Sequence, residues 1–232
     1  MAATAPAPMK ARARSIQLPL ALEQRPAYGR EDFLVAESNR DALAWIEAWP
    51  DWPGRMLVLC GPQGSGKTHL AHVWRAIADA AILEAAIVGA GAIDPAAVGA
   101  RPLVIEAVDE AADDVALFHA VNRAFEAGGY ILATARIAPG RWHGRLADLV
   151  SRLRAAPTVS LGRPDDALIA AVLVKLLRDR QLDVADGVIE YLVRHMERSF
   201  EAARRTIADA DALALAERRR VTVPLVRRVL SR

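Results

Sequence analysis

A single cysteine, Cys60, stands in 232 residues. That excludes an internal disulfide framework and a zinc site built on cysteines. No apolar run reaches the roughly 20 residues that a bilayer-spanning helix needs, so no membrane span is expected. Aromatic residues are few, at 5%, and surplus charge is scarce as well: 30 lysines and arginines against 28 acids leave a formal +2. So small a balance supplies no global field for drawing in nucleic acid. No repeat of 20–50 residues occurs. What is present is 53% apolar and 25% charged. That is the composition of a globular chain with room for one sizeable domain, or a domain and a small satellite.

The first 22 residues hold three bases, Lys10, Arg12 and Arg14, and no acid. This pattern imitates an organelle-targeting segment, but no uninterrupted apolar stretch follows, so it is not a secretory signal. Its Ala/Pro content predicts a solvated tail over residues 1–24. Within the tail, "IQLPLAL" (residues 16–22) is out of place. Pro19 bars a regular helix and pushes Leu18 towards extended geometry. The result is a short extended apolar peptide with one amide, Gln17. It either packs on its own domain or is offered to a partner.

Residues 56–74 read "MLVLCGPQGSGKTHLAHVW". Met56 to Cys60 is an apolar run of strand length, as expected for a strand covered on both faces. Gly61-Pro62-Gln63-Gly64-Ser65-Gly66-Lys67-Thr68 is a full match to G-x-x-x-x-G-K-[ST], and Leu70, Val73, Trp74 and Ile77 then recur at helical spacing. Strand, glycine loop, helix is the context this phosphate-binding motif requires. The glycines let the backbone wrap a polyphosphate and turn N–H groups inward. The helix start adds free donors and a favourable dipole. Lys67 reaches the β- and γ-phosphates, and the Thr68 hydroxyl ligates Mg²⁺. His69, next in line, is counted with the nucleotide site. His69 and His72 share a helix face but have no third ligand nearby, so they read as ordinary histidines.

Further strands are expected at Ala85–Gly89, Leu103–Val108, Tyr130–Ala135 and Thr158–Leu161, with a helix at Val115–Ala127 and an N-capped helix starting at Ser38 or Asn39. Alternating α and β segments predict an α/β fold of the P-loop NTPase class, an αβα parallel sheet covered on both faces, over residues 25–162. Residues 163–232 read as all helical, a small lid, with helices to about Arg180 and near 186–196, 199–217 and 224–230.

Several stretches resemble the AAA+ replication initiator DnaA and its relatives. "FLVAESNRDAL" (Phe33–Leu43) is similar to the segment that borders the adenine there, which implies nucleotide contacts from Phe33, Leu34, Val35 and Asn39. "ALFHAVNRAFEAGGYILATA" (residues 116–135) resembles the helix and strand of sensor 1, implying that role for Thr134. "LADLVSRLRAAPTVSL" (residues 146–161) resembles the segment with the arginine finger, implying Arg152. "RRVTVPLVRRVL" (residues 219–230) resembles the end of the lid. The resemblance covers residues 30–232. DnaA continues into a helix-turn-helix domain where this sequence stops, so the likeness is to the shortened Hda type that inactivates DnaA, and no sequence-specific DNA binding is expected. Hda carries a peptide for the β sliding clamp of DNA polymerase III. "QLPLAL" resembles it with the proline moved, implying clamp contacts from Gln17, Leu18, Pro19, Leu20 and Leu22. Partners implied are the clamp, DnaA and a further copy of the chain; the implied location is the bacterial cytoplasm, with the nucleoid reached through the clamp.

The sequence departs from this family at two places. In "PLVIEAVDE" Glu106 stands where the metal-binding aspartate belongs and Ala107 where the next acid belongs. A second register makes Asp109-Glu110 the acidic pair. Alanine does no acid–base work, and Mg²⁺ demands strict geometry of a longer glutamate. In the lid, Glu201 occupies the place of the sensor 2 arginine, with Arg204 and Arg205 one turn on. These changes predict a chain that binds Mg²⁺ nucleotide, ADP more tightly than ATP, and hydrolyses it poorly, so that Arg152 acts in trans on ATP held by DnaA. The alternative is an autonomous AAA+ ATPase of helicase-loader or clamp-loader type.

Overall fold

The structure is a computed structural model and describes residues 28–88 and 101–231. The candidate clamp peptide, Gln17, Leu18, Pro19, Leu20 and Leu22, lies outside the described residues. Five strands form one sheet: β1 (Met56–Cys60), β2 (Ala81–Glu84), β3 (Leu103–Glu106), β4 (Ile131–Ala135) and β5 (Thr158–Ser160). Their order is β2-β3-β4-β1-β5, all parallel, with Leu59 beside Thr134 and Glu84 beside Glu106. Parallel strands put all their carboxyl ends on one edge, where ligands of open α/β sheets bind.

The central strands are apolar except for Glu106 and Thr134 towards their carboxyl ends, because helices cover both faces. Met56 and Val58 point to one side with Leu103, Ile105, Ile131 and Ala133, under α3 (Asp114–Glu126) and α4 (Ala147–Ala155). Leu57 and Leu59 point to the other with Val104 and Leu132, under α1 (Arg40–Glu47) and α2 (Lys67–Ala78). On that side Trp49, Trp52, Trp74 and Tyr130 pack ring against ring, with Trp52 and Trp74 stacked at 5.1 Å. Four of the twelve aromatic rings thus sit behind the helix that follows the glycine loop.

The expected strand at Ala85–Gly89 is displaced: the strand is Ala81–Glu84, and Ala85–Ile87 is a 3₁₀ turn. β2 is a sheet edge, half covered, and its short Ala-Ile-Leu-Glu run lacks the apolar density that marks the inner strands. The α1 cap also differs from expectation. Asn39 precedes the helix but makes no cap bond. Its Oδ1 accepts from the Ala36 N–H at 2.8 Å and its Nδ2 donates to the Leu34 carbonyl at 2.9 Å, so it braces the leading segment instead.

Residues 166–230 form four helices, α5 (Asp166–Asp179), α6 (Val188–His195), α7 (Phe200–Glu217) and α8 (Val223–Leu230), around their own core of Leu173, Leu192, Ala203, Ile207, Leu225 and neighbours. Asp165 and Ser199 cap α5 and α7 by accepting from the N–H groups of Leu168 and Ala202, satisfying donors that the first turn leaves free. This is the all-helical lid. It sits on the glycine loop: the Phe200 N–H donates to the Gly64 carbonyl at 3.4 Å. A Cβ on Gly64, whose φ is +73, would lie 2.3 Å from the Ser199 Cβ. Only glycine suits that conformation and that approach together.

Candidate nucleotide-binding site

The loop between β1 and α2 lies at the carboxyl edge of the sheet, and a cavity of about 470 Å³ opens beside it. Gln63, Gly64, Gly66, Lys67, Thr68 and His69 line this cavity from the loop side. Gly61 and Pro62 stand behind the lysine: Lys67 Nζ donates to the Gly61 carbonyl at 2.8 Å and the Pro62 carbonyl at 2.9 Å. Ser65 is buried beneath the loop, and its hydroxyl has no partner among the described residues. Burial pushes the Lys67 ammonium below its usual range. The charge of Asp109 opposes that, and Arg136 adds to it. A bound polyphosphate would favour the cationic form further, because an opposite charge nearby stabilises it.

The far wall comes from the ends of β3 and β4: Glu106, Ala107, Asp109, Glu110, Thr134 and Arg136. Thr134 is buried, and its hydroxyl accepts the Ala107 N–H at 3.0 Å. Ala107 itself takes a left-handed conformation, φ +53, and starts a 3₁₀ turn at Val108–Glu110. The turn swings Asp109 back to the cleft, so both acidic registers of the sequence reach it. Asp109 Oδ2 accepts the N–H groups of Arg136 at 2.8 Å and Ile137 at 3.3 Å, and Glu110 pairs with Arg136 at 2.7 Å. Arg145 holds the same turn from outside. It donates to the carbonyls of Asp109 and Val108 at 2.9 and 3.3 Å and pairs with Asp114.

The lid supplies Phe200, Glu201 and Arg204, which line this cavity and a second one of about 440 Å³. The second is bounded by Phe33, Leu34, Val172 and Leu176, with Asp32, Lys175 and Asp179 at its polar side. His69 belongs to both. A polar cavity over the phosphate loop joined to a more apolar one suits phosphates in the first and a flat base in the second. Tyr28 stacks on His72 with ring centroids 4.4 Å apart, and the Arg204 guanidinium lies 5.6 Å over the Tyr28 ring. Burial lowers the proton affinity of both His69 and His72. His69 Nε2 also donates to the Gly29 carbonyl at 3.1 Å.

Thr68 with Glu106 or Asp109 would hold Mg²⁺. Among the described residues no cluster of three or more His, Cys, Asp or Glu side chains is arranged for a metal. A P-loop Mg²⁺ needs none, since phosphate oxygens and water fill most of its sphere. The fit is supported by Glu106 Oε1 and Asp109 Oδ1, both buried and both without a protein partner.

Of the residues assigned from sequence, the structure brings together on the cleft Gln63, Gly64, Gly66, Lys67, Thr68, His69, Phe33, Leu34, Glu106 and Thr134. Val35 is exposed and Asn39 is buried as a brace, and neither lines a cavity. Arg152 is exposed on α4, its guanidinium 5.6 Å over the Phe125 ring, and lines neither cavity. Sequence reasoning missed Tyr28, Asp32, Arg136, Lys175 and Phe200. Arg136 carried one signal: a charged residue directly after an apolar strand, at the edge where ligands bind.

Residues 166–230 match the family model described as Hda, lid domain. The lid of the chain is thus of the Hda type, and the fold of the whole is that of the AAA+ domain of DnaA. Solved structures share its fold at low identity. Domain III of the DnaA of Thermotoga maritima superposes with a TM-score of 0.76 at 18% identity, over 89% of this chain and 97% of that one. AMPPCP-bound DnaA of Aquifex aeolicus gives 0.66 at 20% identity, over 79% and 65%. The RuvB Holliday junction branch migration motor of Thermotoga maritima gives 0.65 at 15% identity, over 88% and 71%. No curated protein sequence matches the chain. Among the described residues no helix is long and apolar enough to cross a membrane.

Proposed function

We propose that this chain is a negative regulator of replication initiation: an ADP-bound module that sits on the β sliding clamp and triggers hydrolysis of ATP held by DnaA. Gln17, Leu18, Pro19, Leu20 and Leu22 dock on the clamp. Lys67, Thr68 and the loop hold the diphosphate with Mg²⁺, and Phe33 and Leu34 border the base. Glu201 beside the phosphate loop disfavours the extra charge of ATP, which is why ADP is preferred. Its place of action is the cytoplasm, at clamps left on DNA.

One observation supports the regulatory reading above the others. Arg152 is exposed on α4 and lines neither cavity of its own chain. A guanidinium in that position serves a γ-phosphate on a neighbouring molecule, where such a group is worth about 10³–10⁵ in rate. A second reading, an autonomous ATPase of helicase-loader or clamp-loader type, draws on Asp109, a carboxylate that the turn brings to the cleft.

The deciding assay follows hydrolysis of DnaA-bound ATP with DNA-loaded clamp and ADP, with and without this chain. Acceleration that vanishes in the double variant Gln17→Ala, Leu20→Ala supports the regulator. Turnover by the isolated chain with no effect on DnaA supports the ATPase.

A further inference from the structure

We infer that the outer end of the lid, where α8 meets α6 and the end of α7, is a surface for the phosphate backbone of duplex DNA, bound without regard to sequence. The inference is independent of the nucleotide-binding reading, since none of its residues lines either cavity of the cleft.

The formal +2 of the whole chain hides a local excess. Residues 217–228 hold five arginines, Arg218, Arg219, Arg220, Arg227 and Arg228, against one acid, Glu217. All six are exposed. The fold draws them onto one face. Arg218, Arg219 and Arg220 follow the end of α7 and line a groove of about 480 Å³ with Gln181 and Leu182, just past α5. Glu217 takes Arg219 and Arg228 at 2.6 Å each, which sets the exposed side of α8 beside that groove. Arg227, next along α8, lies 5.7 Å over the Tyr191 ring of α6.

One carboxylate does not neutralise this set. Arg218, Arg220 and Arg227 have no acidic partner among the described residues. Of the two acids on the groove wall, Asp211 is held by Arg180 at 3.4 Å, which leaves Asp183. A helix dipole favours Arg227 and Arg228 in the last turn of α8, but its effect fades within a turn, and Arg219 and Arg220 lie beyond α7. Clustered like charges repel one another. A row of phosphates removes that repulsion and gives each guanidinium a pair of oxygens to bond.

The face selects among polyanions. Leu215, 61% exposed, is the one large apolar side chain exposed at the groove among the described residues, so the face lacks the anchor pockets that hold a peptide. Single strands are gripped by rings that stack on bases. Tyr191, the ring at this face, already carries His195 stacked at 4.1 Å as well as Arg227. What remains is spaced positive charge on an open surface, the footprint of contact with a duplex backbone.

The test follows the fluorescence anisotropy of a labelled DNA duplex of arbitrary sequence, titrated with the full chain over a range of salt. Wild type is expected to bind, with log affinity falling against log salt at a slope of about −3 to −4, as about four phosphate contacts give. The double variant Arg218→Ala, Arg220→Ala should flatten that slope by about 2. Glu217→Gln removes the acid and should tighten binding a few-fold. The triple variant Lys10→Ala, Arg12→Ala, Arg14→Ala changes the other basic stretch of the sequence and should leave the slope alone. No binding at low salt, an unchanged slope in the double variant, no tightening in Glu217→Gln, or a slope lost with the triple variant each overturns the assignment. So does a single strand that binds more tightly than the duplex, or polyglutamate that binds as tightly, which would mark a surface for an acidic protein. Thermal melts confirm folding. If the double variant does not fold, Glu217→Gln decides.

Discussion

Lys175 Nζ reaches the Asp32 carboxylate at 2.6 Å and the Asp179 carboxylate at 2.7 Å. One lysine on α5 thereby ties the lid to the segment that leads into α1, along the side of the second cavity. The lysine is 29% exposed, so the tie is a surface pair worth up to about 1 kcal/mol. Lys175→Ala should leave the melting temperature almost unchanged and raise the release rate of a fluorescent ADP a few-fold in stopped flow. An unchanged release rate would show that the tie does not govern the lid.

Lys67→Ala separates binding from stability. The native ammonium is held in a half-buried loop that lowers its proton affinity, so its removal relieves a desolvation cost. The free protein should melt at the same temperature or higher. The upward shift that ADP gives the wild type should disappear in a differential scanning measurement.

Arg145→Ala should do the reverse. Arg145 and Asp114 are only 21% and 19% exposed, and the guanidinium also serves two carbonyls of the acidic turn. Removing one partner of such a pair costs about 2 kcal/mol, discounted from the fully buried case. Urea denaturation should show that loss. ADP binding in the presence of Mg²⁺ should weaken with it, because the acidic turn that borders the cleft is unmoored.

His69 and His72 give the fold a pH dependence. Burial lowers the proton affinity of each below the ordinary 6.5. The unfolded chain therefore takes the protons first as pH falls. Their contribution to stability is complete above pH 6.5 and is lost as pH drops through that value towards the folded-state ones. Melting temperatures at about pH 7.5 and about pH 5.5 should differ more in wild type than in the double variant His69→Gln, His72→Gln. Equal differences would sink the assignment.

Arg152→Ala should fold like wild type, since exposed substitutions stay within about 0.5 kcal/mol. It should also bind ADP like wild type, as Arg152 lies outside both cavities. Only the stimulated hydrolysis of DnaA-bound ATP should be lost. Retained stimulation would falsify the trans role.

The phosphate loop was legible because its chemistry fixes residue types at fixed spacing, and the inner strands because both their faces are covered. The lid helices were legible from the Asp165-Asp166 start of α5 and the helical pattern beyond it; the Ser199 cap of α7 came only with the structure. β2 was not, because a half-covered edge strand of four residues has no strong pattern, and the neighbouring Ala-Ala-Ile run reads the same way. Asn39 looked like a helix cap and serves as a brace, a choice made by the chain that folds over it. The side chains that meet across the cleft, Tyr28 on His72 and Lys175 on Asp32, are set by how the lid and the leading segment pack. No local spacing encodes that. Of the two acidic registers the sequence favoured Glu106; that Asp109 also reaches the cleft turns on one left-handed alanine, Ala107, which no local pattern announces.

Cys60 ends β1 directly beneath the phosphate loop, 5% exposed, with its sulfur 3.2 Å from the Ser160 hydroxyl. Being the one thiol in the sequence, it turns chemical labelling into a clock. An alkylating reagent can reach it only when the centre of the sheet opens, so its labelling rate reports unfolding and not lid motion. A cysteine placed on the lid surface would react at once and alone. The wild-type sequence is thus already prepared for site-specific dyes, with its own thiol held in reserve until the fold gives way.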